Sequence, residues 1–306
     1  MSVLEVNNII KKFGDYTAVG GVSFNVEKGR IMGVLGPNGA GKTTTIRMIN
    51  NILMPDEGII SIFGEKVSYD LQNRIGYLPE ERGLYKKVKV IDQLVYFAQL
   101  KGMSKSEATE KGKLWLRRVD ASDWETKKIQ ELSKGMQQKV QFISTILHDP
   151  ELLILDEPFS GFDPLNVELL KRIILDLKDE GKTILLSTHV MEQAEQMCDD
   201  IVLISKGRHI RSGNLREIKK SFGKDTVVME FDGDDSFLNT FNGLKFVNRS
   251  KNRVEFRITN NELTLKEIIK LALESVDLFK FELVEPSLRE IFIDLVSDKE
   301  EVNNDK

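Results

Sequence analysis

Residues 36–43, GPNGAGKT, constrain this chain more than any other stretch. They fit G-x-x-x-x-G-K-[ST] and sit in the context that this pattern requires: apolar residues 31–35 read as a strand before it, and TTIRMIN after it opens a helix. Glycines at 36, 39 and 41 let the backbone curl so that successive N–H groups face one concavity. The loop then feeds a helix N-terminus, where unpaired N–H groups and the helix dipole both favour an anion. Gly36, Pro37, Asn38, Gly39, Ala40, Gly41, Lys42, Thr43 and Thr44 are therefore the expected cradle for the phosphates of a nucleotide. Lys42 is expected to reach the β- and γ-phosphates, and the Thr43 hydroxyl to take one Mg²⁺ position.

A second half of such a site lies downstream. LLIL at 152–155 is a short apolar run, the signature of a strand buried on both faces, and it ends in Asp156-Glu157-Pro158. A carboxylate at the end of that strand, Asp156, suits Mg²⁺, usually through water. Glu157 points another way and suits a general base that polarises the attacking water. Asp163-Pro164 reads as N-cap and first residue of the next helix, and TILLS at 183–187 as the next strand. Strands alternating with helices around a phosphate loop predict an α/β P-loop NTPase core with a mostly parallel sheet.

Around that core the texture changes. The opening is β-rich, with strands expected at 3–10, 19–26, 58–63 and 74–78, and KKFGDYT as a turn-bearing connection. From about residue 80 to 147 apolar spacing turns helical, and Ser104 with Glu107 forms a helix-start signal. A hairpin is expected around Lys206-Gly207. Beyond 220 the pattern becomes a separate small α+β domain at 221–298, with strands at 227–231, 244–247, 254–258 and 279–284, helices at 263–273 and 286–296, and an acidic tail at 299–306.

Composition narrows the setting. A formal charge of −4 argues against a nucleic-acid partner. One cysteine, Cys198, excludes an internal disulfide and suits a reducing compartment. The first residues do not read as a secretory signal, and no apolar run approaches the ~20 residues of a membrane span, so a membrane link is expected to come through a partner protein.

Between the two nucleotide motifs lies LSKGMQQ at 132–138, which resembles the LSGGQ signature of ABC ATPases. SGFD at 160–163 resembles their D-loop, and STHV, containing His189, their H-loop. Order and spacing also match, so residues 1 to about 220 resemble an ABC nucleotide-binding domain with its helical insert. The C-terminal extension resembles, more loosely, that of bacterial sodium- and drug-export ATPases. The resemblance implies an ATP-hydrolysing transporter subunit, peripheral on the cytoplasmic face of the membrane, that drives a separate multi-span permease. The alternative is a soluble ABC ATPase acting on ribosomes or DNA. It also implies an ATP-dependent homodimer, or a heterodimer with a related ATPase, in which Ser133, Lys134, Gly135 and Gln137 serve the opposite subunit's ATP and Asp163 sits at the seam.

By the same resemblance His189 contacts the γ-phosphate and Phe13 stacks on adenine; Phe13 otherwise reads as a core residue beside a turn. Two features depart from the pattern. Glu80, with Glu81 beside it, stands where the Q-loop glutamine is usual, and a carboxylate there can still serve the metal. Lys134 and Met136 replace signature residues, while backbone donors survive such changes. After this loop come Arg82, Gly83, Leu84 and Tyr85; the apolar pair suits either a partner helix docked in a groove or packing on the helix near residues 91–95.

Overall fold

The computed structural model describes residues 2–81, 83–223, 226–259 and 263–304, with side chains as far as residue 297. Strands β1 (Ser2–Phe13) and β2 (Tyr16–Glu27) form a hairpin, and β3 (Ile31–Leu35) runs through the phosphate loop into α1 (Lys42–Ile49). Next come β4 (Glu57–Ile62), β5 (Glu65–Lys66) and β6 (Ile75–Leu78), then helices α2 (Val90–Leu100), α3 (Lys105–Arg118) and α4 (Lys134–Ile146). The core resumes with β7 (Leu152–Asp156), α5 (Pro164–Asp179), β8 (Thr183–Thr188), α6 (Met191–Met197) and the hairpin β9 (Asp200–Ser205)–β10 (Arg208–Asn214).

These elements make one compact unit ending at Asn214. Its six-stranded sheet has the order β10-β9-β3-β8-β7-β6, parallel except for β10. Every residue of β3, β7 and β8 is buried, which is why β3, residues 152–155 of β7 and residues 184–186 of β8 are apolar. Register decides where the chemistry falls. Leu35 pairs with Thr188, and Asp156 with Ser187, so the phosphate loop, the Asp156-Glu157 pair and His189 all leave the carboxyl ends of three adjacent strands. Ligands of open α/β sheets bind at that edge.

The opening hairpin is longer than its sequence suggests. Lys11, Lys12 and Phe13 pair with Val19, Thr17 and Tyr16, leaving only Gly14 and Asp15 as the turn. Lysines conceal the strand, but the backbone ladder is satisfied whatever the side chains are. In the helical segment, Ser104 Oγ accepts from Glu107 N–H at 3.2 Å and so starts α3.

The second compact unit, Leu215–Lys306, holds α7 (Leu215–Ser221), β11 (Thr226–Asp232), β12 (Leu244–Ser250), β13 (Arg253–Ile258), α8 (Leu265–Ser275), β14 (Asp277–Val284) and α9 (Leu288–Asn304). Its antiparallel sheet has the order β12-β13-β11-β14, a split βαβ arrangement with a 3₁₀ turn at Asp235–Thr240 where a first helix would stand. Val227, Met229, Phe231, Val254 and Phe256 pack against Ile268 and Ala272 of α8. Arg257 on β13 pairs with Glu290 and Asp294, which ties α9 to the sheet. The backbone of α9 continues to Asn304; side chains of the expected acidic tail at 299–306 lie outside the described residues.

Candidate nucleotide-binding site

The loop between β3 and α1 is tight enough to require glycine. Gly41 has φ +102°, and a Cβ there would sit 2.5 Å from the Ala18 carbonyl oxygen; one at Gly36 would collide with the Ile204 carbonyl oxygen. Lys42, the first residue of α1, is buried and folded back under the loop. Its ammonium donates to the Gly36 and Pro37 carbonyls at 2.9 and 3.2 Å and lies 3.5 Å from Glu157 Oε1. Glu157 in turn is 2.9 Å from His189 Nδ1. Lys42, Glu157 and His189 thus form one chain of contacts across the ends of β3, β7 and β8.

Ser187, which sequence reasoning passed over, organises the two acids. A hydroxyl has one proton, and it is donated to Asp156 Oδ1, because an ionised carboxylate can only accept. The lone pairs of Ser187 Oγ then accept Glu157 N–H at 3.1 Å. Glu157 has φ +48°, a left-handed conformation that costs a non-glycine residue roughly 1–3 kcal/mol unless its surroundings hold it. Ser187 supplies that hold. The Thr43 hydroxyl approaches the same Asp156 oxygen at 3.4 Å, and Asp156 Oδ2 is buried with no partner. Burial pushes the Asp156 carboxyl upward; hydrogen bonds from Ser187 and Thr43 oppose this, and repulsion from Glu80 and Glu157 adds to it. A buried acid with one orphaned oxygen, beside a hydroxyl and among other carboxylates, fits a hard cation such as Mg²⁺. Among the described residues no group of three or more His, Cys, Asp or Glu could hold a metal ion.

These groups open into a pocket of about 380 Å³. One wall is the loop from Asn38 to Thr44, and Glu157 stands at its base. Glu80 lines it too, whereas Glu81 turns to the surface, 3.7 Å from Arg47; of the two acids at the Q-loop position, Glu80 is the one that lines the pocket. Phe13 lines the opposite wall and is 51% exposed, so it is not a core residue. Tyr16, its partner across the hairpin, lines the same wall and went unnoticed in the sequence, although its register with Phe13 follows from a two-residue turn.

Ser133, Lys134, Gly135, Gln137 and Asp163 do not line this pocket. Ser133 caps α4, its Oγ accepting Met136 N–H at 3.3 Å, with Lys134 and Gly135 in the first turn. Asp163 caps α5 by accepting Asn166 N–H at 3.0 Å, and that bond holds its carboxyl below the usual range. Gln137 donates its amide N–H groups to the Ile129 and Leu132 carbonyls at 3.1 and 2.9 Å, which locks the turn before α4. Gln138 bridges the two motifs, donating to the Ser160 carbonyl at 2.5 Å.

Residues 19–160 match the family model described as ABC transporter, and residues 213–296 match that of the DrrA1-3-like ATP-binding protein C-terminal domain. An uncharacterised ABC transporter ATP-binding protein of Bacillus subtilis (strain 168), YhaQ, is 49% identical over 294 residues, covering 96% of this chain and 98% of its own. The chain belongs to the ATP-binding proteins of ABC transporters. The linearmycin resistance ATP-binding protein LnrL of the same organism is 30% identical over 304 residues, covering 96% of this chain and 98% of its own. A solved structure of the ATP-binding subunit of an ABC transporter superposes with a TM-score of 0.68 at 33% identity, covering 72% of this chain and 94% of that one. The protein is an ABC ATPase, and no helix among its described residues is long and apolar enough to cross a membrane.

This ABC ATPase carries a second concavity, about 330 Å³, between the Q-loop segment, α2 and α4. Leu84, Phe97 and Leu100 give it an apolar lining, and Tyr77, Gln141 and Thr145 add polar groups. The Leu84-Tyr85 pair divides: Leu84 lines the groove, while the Tyr85 ring packs 6.1 Å from Phe97 and 6.0 Å from Tyr96 on α2. Arg82, expected beside them, lies outside the described residues.

Proposed function

We propose that this chain is the energy-coupling subunit of an exporter, acting on the inner face of the membrane against a separate permease. LnrL, whose name assigns it to resistance, supports the outward direction. In this reading residues 1 to about 220 are the cassette, with its helical insert at 80–147, and 221–298 form an accessory domain. Phe13 stacks on adenine, with Tyr16 beside it; a base stacked on an aromatic ring gains ~1–3 kcal/mol. Lys42 leaves the Gly36 and Pro37 carbonyls for the β- and γ-phosphates. Thr43, Asp156 and Glu80 hold Mg²⁺, which neutralises charge on the transferring phosphoryl group. Glu157 accepts a proton from the attacking water, and His189, in contact with Glu157, also touches the γ-phosphate.

The observation that carries the reading is the one-sided pocket. The P-loop, Glu80 and Glu157 line it, while Ser133, Gly135 and Asp163 of the same chain do not. A second copy, or a related ATPase, supplies those groups across a head-to-tail interface that closes over ATP. Lys42→Ala destroys one half of each composite site and Ser133→Arg the other. Each variant alone is expected to be inactive, and an equal mixture to regain hydrolysis, because the mixed dimer keeps one intact site. Wild-type turnover by Ser133→Arg alone contradicts the composite site.

A further inference from the structure

The six-stranded sheet ends at β6, and side chains from the α4 region cover that edge. Glu151 N–H donates to the Arg74 carbonyl on the β7 side, so the alternate carbonyls of Ile75, Tyr77 and Pro79 face away from β7. Gln141 and Thr145 on α4, and His148 in the turn after it, meet them in order. His148 Nε2 lies 3.1 Å from the Ile75 carbonyl, the Thr145 hydroxyl 3.4 Å from that of Tyr77, and Gln141 Nε2 3.4 Å from that of Pro79. A Cβ on Gly76 would lie 2.5 Å from the Thr145 carbonyl oxygen, so α4 and β6 touch backbone to backbone.

The contact at Gln141 differs from its neighbours. The single proton of the Thr145 hydroxyl has a nearer acceptor, the Gln141 carbonyl at 3.0 Å. Gln141 is buried, and its amide nitrogen carries two hydrogens. That nitrogen reaches the Glu81 carbonyl at 3.1 Å as well as that of Pro79. The two carbonyls stand on either side of Glu80, whose side chain lines the nucleotide pocket, whereas Gln141 does not line it. Among the described residues no hydrogen bond or ion pair holds the Glu80 carboxylate, so its place is set by its backbone.

We infer that Gln141 is a positioning residue for Glu80: by holding the carbonyls on both sides of it, α4 fixes where the carboxylate stands. This rests on the reading that Glu80 helps to hold Mg²⁺. That ion tolerates little error in ligand placement, and a loop tethered on both sides of its acid has less freedom to lose when the ion binds.

The test uses the full chain with a non-hydrolysable ATP analogue and Mn²⁺ as the probe, its affinity read from the EPR signal of the free ion. Gln141→Met keeps an unbranched side chain of similar length and removes both donors. Its Mn²⁺ affinity is expected to fall roughly two- to tenfold, the scale of a lost hydrogen bond, while affinity for the analogue without metal stays unchanged. Gln141→Asn, whose amide is too short to reach, is expected to behave alike, and carries the test if melting curves show Gln141→Met unfolded. Thr145→Val loosens the same helix away from Glu80 and is expected to keep the wild-type Mn²⁺ affinity. In a Glu80→Gln background, Gln141→Met is expected to cause no further loss. Unchanged Mn²⁺ affinity in the Gln141 variants, an equal loss in Thr145→Val, or an equal further loss in the Glu80→Gln background overturns the inference. Glu80→Gln alone tests the underlying reading. Unchanged affinity there refutes Glu80 as a metal residue, and a loss there with none in the Gln141 variants refutes the positioning role alone.

Discussion

Around the nucleotide pocket, polar groups answer one another: buried Lys42 faces buried Glu157, Glu157 contacts half-exposed His189, and buried Asp156 is held by Ser187. In the groove, aromatic and aliphatic groups dominate, and the cation Lys101 meets only carbonyl oxygens. The first cavity holds a polar network in which Lys42 and Glu157 offset one another.

The comparison breaks most readily at Glu157. Glu157→Gln keeps the shape but removes the base, and hydrolysis is expected to fall by ~10²–10⁴. ATP binding should persist, and an ATP-bound dimer should accumulate on gel filtration. Near-normal turnover removes Glu157 from that role.

Ser187→Ala should have the next largest effect. It leaves Asp156 without a charge-assisted bond and Glu157 without one support for its left-handed backbone. A loss of roughly 1.5–3 kcal/mol is the usual scale, so kcat should fall on the order of ten- to a hundredfold if the transition state feels it fully. The KM for ATP should change little, because Ser187 does not line the pocket. The Mg²⁺ concentration for half-maximal rate should rise, because the free Asp156 oxygen loses its fixed direction. An unchanged Mg²⁺ midpoint together with an unchanged kcat would show that the hydroxyl only fills space.

These two residues also mark what the sequence can and cannot disclose. The place of Glu157 was legible because it follows from its neighbours along the chain: a buried strand, an aspartate, then the glutamate. The α/β core was legible for the same reason, since strands buried on both faces announce themselves as apolar runs. Ser187 was not, because its role comes from the register between β7 and β8, which sets it opposite Asp156 from 31 positions away. The bonds of Gln137 were hidden for a related reason: carbonyls of the preceding turn, five and eight positions earlier, take its amide N–H groups. The bonds of Lys101 also arise between elements, where the end of α2 meets carbonyls some 26 and 29 residues earlier.

The smallest expected effect concerns the groove's other base and is one of stability. His148 Nε2 lies 3.1 Å from the Ile75 carbonyl, which can only accept, so Nε2 carries the proton of the neutral ring. Nδ1 is buried with no partner, and a second proton would have to go there. Burial therefore pushes the His148 pKa down to about 4; the Ile75 bond opposes this, with Lys101 and Lys182 lowering it further and Asp149 raising it. The unfolded chain takes up this proton near pH 6.5, the folded chain only near 4. Between those values the unfolded state binds more protons, so acidification from about pH 6.5 towards 4 removes stability, and above 6.5 the contribution is complete. Urea midpoints across this range are expected to fall more steeply for the wild type than for His148→Gln, with the two curves parallel above pH 7. Parallel curves throughout would mean that the folded ring takes up its proton at the same pH as the unfolded chain, and the groove would then hold two cations instead of one on the acid side of that pH.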